Sequence, residues 1–84
     1  MSNVRKLYRV YYNTFSDELH RRVVEELSRR FGVRVIDYKS RVAPGFRFLE
    51  VFLEESGREE EIKSIVSSIT GDSRVKVDWI DTSR

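Results

Sequence analysis

The sequence predicts an α+β sandwich in which two helices cover one face of a four-stranded antiparallel sheet. The hydrophobic pattern alternates between the two-residue period of strands and the 3.6-residue period of helices. The resulting element order is βαββαβ with short connections. This order is that of the ferredoxin-like split βαβ fold, with sheet order 4-1-3-2. The 84 residues are predicted to form one domain, 1–84.

The first half of the chain predicts a strand, a helix and a second strand. Residues 4–12 alternate as a strand should. Thr14 or Ser16 can cap the helix that follows, and Gly32 suits the left-handed position at its end. The second strand is predicted over 33–42. The helix buries a stripe that repeats every four residues, formed by Leu19, Val23, Leu27 and Phe31.

The second half predicts a strand over 46–54, a second helix and a last strand. Residues 56–59 read Ser-Gly-Arg-Glu, which has the spacing of a capping box at the start of that helix. Gly71 ends the helix, and residues 74–80 alternate as the fourth strand. Trp79 has the parity of Val75 and Val77, which predicts a core position for it.

The turn at Pro44 and Gly45 determines which side chains the third strand shows to solvent. A two-residue loop would pair Ala43 with Phe46. The aliphatic side chains of the third strand then face the helices, and its open face carries Phe46, Phe48, Glu50 and Phe52. A shift of one residue would reverse the two faces, but it would bury Glu50, which costs more free energy.

The same register brings basic and aromatic residues of the other strands to this open face. The second strand would place Lys39 opposite Glu50 and Arg41 opposite Phe48. Together with the outward positions of the first and fourth strands, the predicted binding residues are Arg9, Tyr11, Lys39, Arg41, Phe46, Phe48, Phe52 and Lys76. An exposed aromatic patch of this kind is typical of a partner surface.

Composition argues against an enzyme, a metal site and a bound cofactor. There is no cysteine, and His20 is the only histidine, so a single chain cannot form a histidine-based triad or a two-histidine metal site. His20 is predicted to lie at the boundary of the core. The acidic residues between 54 and 61 lack the alternating ligands of a calcium loop. No phosphate-binding loop or nucleophile elbow is present.

The charge is unevenly distributed although the net charge is only +2. Residues 1–47 carry eleven Lys and Arg against five Asp and Glu, whereas residues 48–84 carry five against nine. A basic half of this kind favours a basic binding surface. Dense mixed charge is typical of proteins from hot organisms. With no signal-peptide pattern and no long apolar stretch, we expect a cytoplasmic protein that does not bind membranes.

The third strand resembles the signature of the RNA-recognition motif, which is basic-Gly-aromatic-small-aromatic-aliphatic-any-aromatic. Gly45, Phe46, Phe48 and Leu49 match it, whereas Pro44, Arg47 and Val51 depart from it. Residues 10–13 and the helix end Phe31-Gly32 are also similar to that family. The resemblance implies binding of single-stranded RNA or other nucleic acid without catalysis. Tyr11, Phe46 and Phe48 would then stack on bases, and the backbone contacts would come from Arg9, Lys39, Arg41 and Lys76.

A second resemblance leaves a different function open. Residues 31–33 and 74–80 look like the corresponding parts of NIL domains, which with ACT domains are regulatory ferredoxin-like modules. This resemblance implies a homodimer formed through the sheet, and the sensing of a small ligand. Phe46, Phe48 and Phe52 would be buried by the second copy. A third alternative is a structural subunit that docks on a larger protein complex through the same face or through the edge of the second strand.

Overall fold

The computed structural model describes residues 6–39, 43 and 45–81. Its elements are β1 Lys6–Asn13, α1 Asp17–Phe31, β2 Val35–Lys39, β3 Phe46–Leu53, α2 Glu59–Thr70 and β4 Lys76–Asp81. The strands form one antiparallel sheet in the order β2-β3-β1-β4. This is the predicted order read from the other edge, so the ferredoxin-like fold is confirmed.

The core lies between the helices and one face of the sheet. Alternate residues of the strands are buried in it, among them Tyr8, Val10, Tyr12, Leu49, Val51 and Val77. The helices bury Val23, Leu27, Ile62 and Val66 against them. The two-residue alternation therefore assigned the faces of β1 and β3 correctly. The alternative register, with the phenylalanines of β3 in the core, is wrong.

The two helices begin in different ways. The side chain of Ser16 caps α1, because its hydroxyl accepts a hydrogen bond of 3.1 Å from the backbone N–H of Leu19. The capping box predicted over 56–59 is wrong: α2 begins only at Glu59, and no side chain caps it. Instead, Arg58 binds the carboxylates of Glu55 and Glu61 on either side of the helix start. The start of α2 therefore carries two ion pairs and lacks the predicted serine cap.

The pairing of β2 with β3 differs from the predicted register by three residues. Tyr38 lies opposite Phe48, and Lys39 opposite Arg47. The predicted contact between Ala43 and Phe46 does form: the backbone N–H of Phe46 donates a hydrogen bond of 2.9 Å to the C=O of Ala43. Lys39 is four residues before Ala43, whereas its partner Arg47 is only one residue after Phe46. The β2 side of the connection is therefore longer by three residues. Because the shift is odd, it exchanges the two faces of β2.

Trp79 is not the core anchor that its parity predicted. Its side chain is 38% exposed, although its ring lies 6.5 Å from the buried ring of Tyr8, measured between centroids. The Nζ atom of Lys6 lies over the indole, 5.2 Å from its centroid. Trp79 is near the end of β4, which is an edge strand. No further strand of the described residues lies beside its indole ring, which is therefore in contact with solvent and with the Lys6 side chain.

Neither of the two helices in the described part of the chain has the length and the apolar character needed to span a lipid bilayer.

Candidate binding site on the open sheet face

Four aromatic rings form a continuous row across the face of the sheet that the helices leave open. The rings of Tyr11 and Phe48, which are opposite each other in the β1–β3 register, stack with centroids 5.0 Å apart and planes 8° apart. Phe46 stacks on Tyr11 at 6.0 Å, and Tyr38 stacks on Phe48 at 5.0 Å. We call Phe46, Tyr11, Phe48 and Tyr38 the aromatic row.

The rings of the aromatic row only partly cover one another. Carbon atoms of packed groups approach to about 3.5–4.0 Å. A centroid distance of 5.0 Å between nearly parallel rings therefore means that Tyr11 and Phe48 are slipped sideways. Tyr11, Phe46 and Phe48 are each half-buried, so part of each side chain is in contact with solvent. Tyr38, at the end of the row, is 43% exposed.

Glu50 holds the outer end of the row in place. The hydroxyl of Tyr38 donates a hydrogen bond of 2.9 Å to the Glu50 carboxylate. This bond raises the pKa of Tyr38, because the phenol can donate it only while it is protonated. Nε of Arg9 lies 3.6 Å from the other carboxylate oxygen. Nε of Arg9 is buried without a hydrogen-bond partner in the described part of the chain, so its interaction with Glu50 is an ion pair rather than a hydrogen bond.

A pocket of about 320 Å³ lies between the aromatic row and β4. We call it the side pocket. Lys76 is opposite Tyr11 in the register and projects from the same face. Its Nζ atom is 4.0 Å from the Asp78 carboxylate, and both side chains are more than half exposed. The side pocket is lined by Tyr11, Tyr12, Asn13, Phe46, Arg74, Lys76 and Asp78.

A second apolar group lies at the other end of the same face. Leu7 is opposite Phe52 on one side and opposite Ile80 on the other. Leu7 is buried, but Phe52 is 36% exposed and Ile80 is 46% exposed. We call these three residues the apolar corner. Arg9 and Glu50 lie one register step further along β1 and β3 on the same face and separate it from the aromatic row.

Six of the predicted binding residues lie on the open face. Lys39 does not have the predicted partner, because its backbone lies opposite Arg47 rather than Glu50. Arg41 and Pro44 lie outside the described residues. The residues of the prediction that the structure brings to this face are Arg9, Tyr11, Phe46, Phe48, Phe52 and Lys76.

Two aromatic residues near this surface were missed by the sequence analysis. The predicted two-residue loop placed Lys39 on the open face, so its alternating neighbour Tyr38 would face the helices, whereas the observed register places Tyr38 opposite Phe48 on the open face. Phe15 precedes α1 and is 85% exposed. Its ring lies against the backbone of Gly45, where an added Cβ would come within 2.9 Å of it. The one sequence signal for Phe15 was its position beside the residues that can cap α1, which places it outside the buried stripe of the helix.

The candidate site contains no arrangement suited to a metal ion. No group of three or more His, Cys, Asp or Glu side chains in the described ranges is placed to bind one. The carboxylates of this face, Glu50 and Asp78, are each near a cation or a phenol. The arrangement is suited to packing and to hydrogen bonding with a flat, polar-edged ligand.

Comparisons with protein-family models, with curated proteins and with solved structures found no match to this chain.

Proposed function

We propose that the chain binds single-stranded nucleic acid along the aromatic row. The observation that carries this proposal is the continuity of the four rings across three strands on a face that the helices leave open. Bases stack on such side chains with about 1–3 kcal/mol each, whatever their sequence. A row of slipped rings offers successive stacking positions to successive bases.

The cationic side chains around the row support the same proposal. Arg9 and Lys76 lie on β1 and β4 at the side of the row, and Arg74 lines the side pocket. Phosphates held by such residues release counterions, which makes the affinity fall with salt. Glu50 and Asp78 reduce the positive potential of the face, so stacking rather than charge would supply most of the affinity.

The test is a fluorescence-anisotropy titration of a labelled, random-sequence single-stranded RNA at two salt concentrations. The Phe46→Ala/Phe48→Ala variant removes two rings of the row. Phe52→Ala is the matched control, because it removes one ring from the same face outside the row. Thermal unfolding of each variant establishes that it is folded.

The proposal predicts binding by the wild type and by Phe52→Ala, with a loss of at least tenfold in the double variant. Tenfold is the lower limit of what is expected when two rings are removed that each stack with about 1–3 kcal/mol per base. Equal binding by the folded double variant and the wild type would contradict it. So would the absence of binding at the lower salt concentration.

The apolar corner favours a second candidate function, homodimerisation through the sheet. Phe52 and Ile80 are exposed large apolar side chains that flank the buried Leu7. A second copy related by a twofold axis would cover the same residues on both chains. Sedimentation equilibrium would then give a mass near twice 10.0 kDa, and Phe52→Glu would reduce it to that of a single chain. A single-chain mass for the wild type at high concentration would contradict this candidate.

A further inference from the structure

The side pocket lies at the edge of the proposed stacking surface and has a lining of its own. It is a concave region at the edge of the aromatic row, with Tyr11 and Phe46 as one wall and side chains of β4 as the other. Its volume of about 320 Å³ is at the lower end of the range for ligand sites, about 300–1,000 Å³. A pocket of this size suits one nucleotide rather than a longer segment.

The chemistry of the lining divides the pocket into three parts. The rings of Tyr11 and Phe46 offer a surface for the plane of a base. Arg74 and Lys76 supply positive charge for a phosphate. Asp78 supplies a carboxylate, which accepts hydrogen bonds but cannot donate them when it is ionised.

The carboxylate of Asp78 accepts no hydrogen bond from another described residue. Its ion-pair partner in the described part of the chain is Nζ of Lys76 at 4.0 Å, which is beyond hydrogen-bond distance, and its cross-strand neighbour is Arg9. About half of the Asp78 side chain is exposed. A phosphate would be repelled by Asp78, so the base edge is the part of a nucleotide that this carboxylate can bind.

We propose that the side pocket receives one base of the bound strand and prefers a base with an exocyclic amino group over uracil. This inference rests on the proposed function of the aromatic row. An amino group such as N4 of cytosine donates to a carboxylate. Uracil has a carbonyl oxygen at that position, which a carboxylate repels. Cytosine and uracil have the same ring size, so stacking does not account for a difference between them.

The experiment compares labelled eight-nucleotide oligo(C) and oligo(U) RNA by fluorescence anisotropy at pH 7.5. The wild type should bind oligo(C) about three- to tenfold more tightly, the range expected of one partly exposed hydrogen bond. Asp78→Asn should remove the difference, because an amide can donate to uracil as well as accept from cytosine. Glu60→Gln, on α2 and away from the open face, changes the charge equally and should preserve the preference.

A second variant tests the phosphate part of the pocket. Arg74→Gln/Lys76→Gln should weaken the binding of both RNAs. It should also reduce the magnitude of the slope of log affinity against log salt concentration by about 0.7 for each lost phosphate contact. The matched control is Arg21→Gln/Lys63→Gln, two exposed cations on the helices. An unchanged slope in Arg74→Gln/Lys76→Gln would contradict the inference that these two residues contact a phosphate.

The outcomes separate this inference from the proposed function. Equal affinity for the two RNAs, or a preference that persists in Asp78→Asn, would overturn the base preference. If Phe46→Ala/Phe48→Ala weakened binding at least tenfold in that case, the stacking surface would stand without the pocket. No binding of either RNA by the wild type would overturn both.

Discussion

On the covered side of the sheet, the hydroxyl of Tyr12 lies 2.5 Å from Nδ1 of His20. The other ring nitrogen, Nε2, is 2.9 Å from a carboxylate oxygen of Asp37. A neutral imidazole with its proton on Nε2 accepts from the phenol and donates to the carboxylate, so all three groups are satisfied. His20 is almost fully buried. This chain of hydrogen bonds links β1, α1 and β2, and it explains why the only histidine can lie at the edge of the core.

Tyr12 should make the fold sensitive to alkaline pH. Burial, and then the negative charge of Asp37, raise the pKa of Tyr12 well above its usual value near 10. The unfolded chain therefore ionises first, so stability is complete below about pH 10 and is lost as pH rises further. We expect Tyr12→Phe to lower the free energy of unfolding at pH 7 by about 1–2 kcal/mol, because Nδ1 of His20 loses its partner.

Urea unfolding between pH 8 and pH 12 measures this effect. Above pH 10 the Tyr12→Phe protein should lose stability less steeply than the wild type, by up to about 1.4 kcal/mol per pH unit. Tyr8→Phe is a useful comparison, because burial also raises the pKa of Tyr8. An identical pH dependence in the wild type and Tyr12→Phe would contradict the prediction.

The two serines near the helix starts should differ in their contribution to stability. Ser16→Ala removes the hydroxyl that accepts from Leu19 N–H, and we expect a loss of about 0.5–2 kcal/mol. Ser56→Ala should change stability by less than about 0.5 kcal/mol, because no side chain caps α2. Thermal and urea unfolding of the two variants test the difference. A larger loss for Ser56→Ala would contradict this prediction and would support a capping box at the start of α2.

Asp72 should make the junction between α2 and β4 sensitive to acid. Its carboxylate accepts from the backbone N–H groups of Arg74, at 2.9 Å, and Asn13, at 2.8 Å. The bond from Arg74 is the main reason that the pKa of Asp72 lies below its usual value. The stability that Asp72 contributes is therefore present above about pH 4 and is lost as pH falls through the lowered pKa.

We expect Asp72→Ala to lower the free energy of unfolding at pH 7 by about 1–2 kcal/mol. The difference between the wild type and Asp72→Ala should shrink as the pH falls below 4. Urea titrations at pH 7, pH 4 and pH 2.5 measure it. Asp78→Ala is a control, since its carboxylate is not hydrogen-bonded to backbone in the described residues. A difference for Asp72→Ala that is constant with pH would contradict this prediction.

Tyr38 should contribute to nucleic-acid binding although it was absent from the residues predicted as the site. Tyr38→Ala removes the outer ring of the aromatic row, and we expect RNA affinity to fall about fivefold or more. Tyr38→Phe keeps the ring and removes only the bond to Glu50, so it should bind nearly as well as the wild type. Anisotropy titrations of both variants check this. Equal loss in the two would assign the effect to the hydroxyl rather than to stacking.

The sequence by itself determined the order of the elements, the sheet order and the faces of β1 and β3. Alternation has a period of two. One set on β3 contains Leu49, Val51 and Leu53 whereas the other contains Glu50, so the cost of burial selects the covered face without further information. The sequence likewise predicted the left-handed Gly32 and a cap at Thr14 or Ser16, of which the structure shows Ser16, because both features depend on local backbone geometry. Most of the aromatic row followed from that assignment.

The tertiary structure alone decided the register of β2. Register across a hairpin depends on the path of the connection, and an odd shift turns every side chain to the other face. Asp37 faces the helices because His20 gives its carboxylate a partner there, and Tyr38 then joins Phe48 on the open face. Neither partner is near in sequence, so local patterns could not reveal either contact. The sequence could not determine the exposure of Trp79 either. Parity gives the direction of a side chain, but it does not show which other groups cover that side chain.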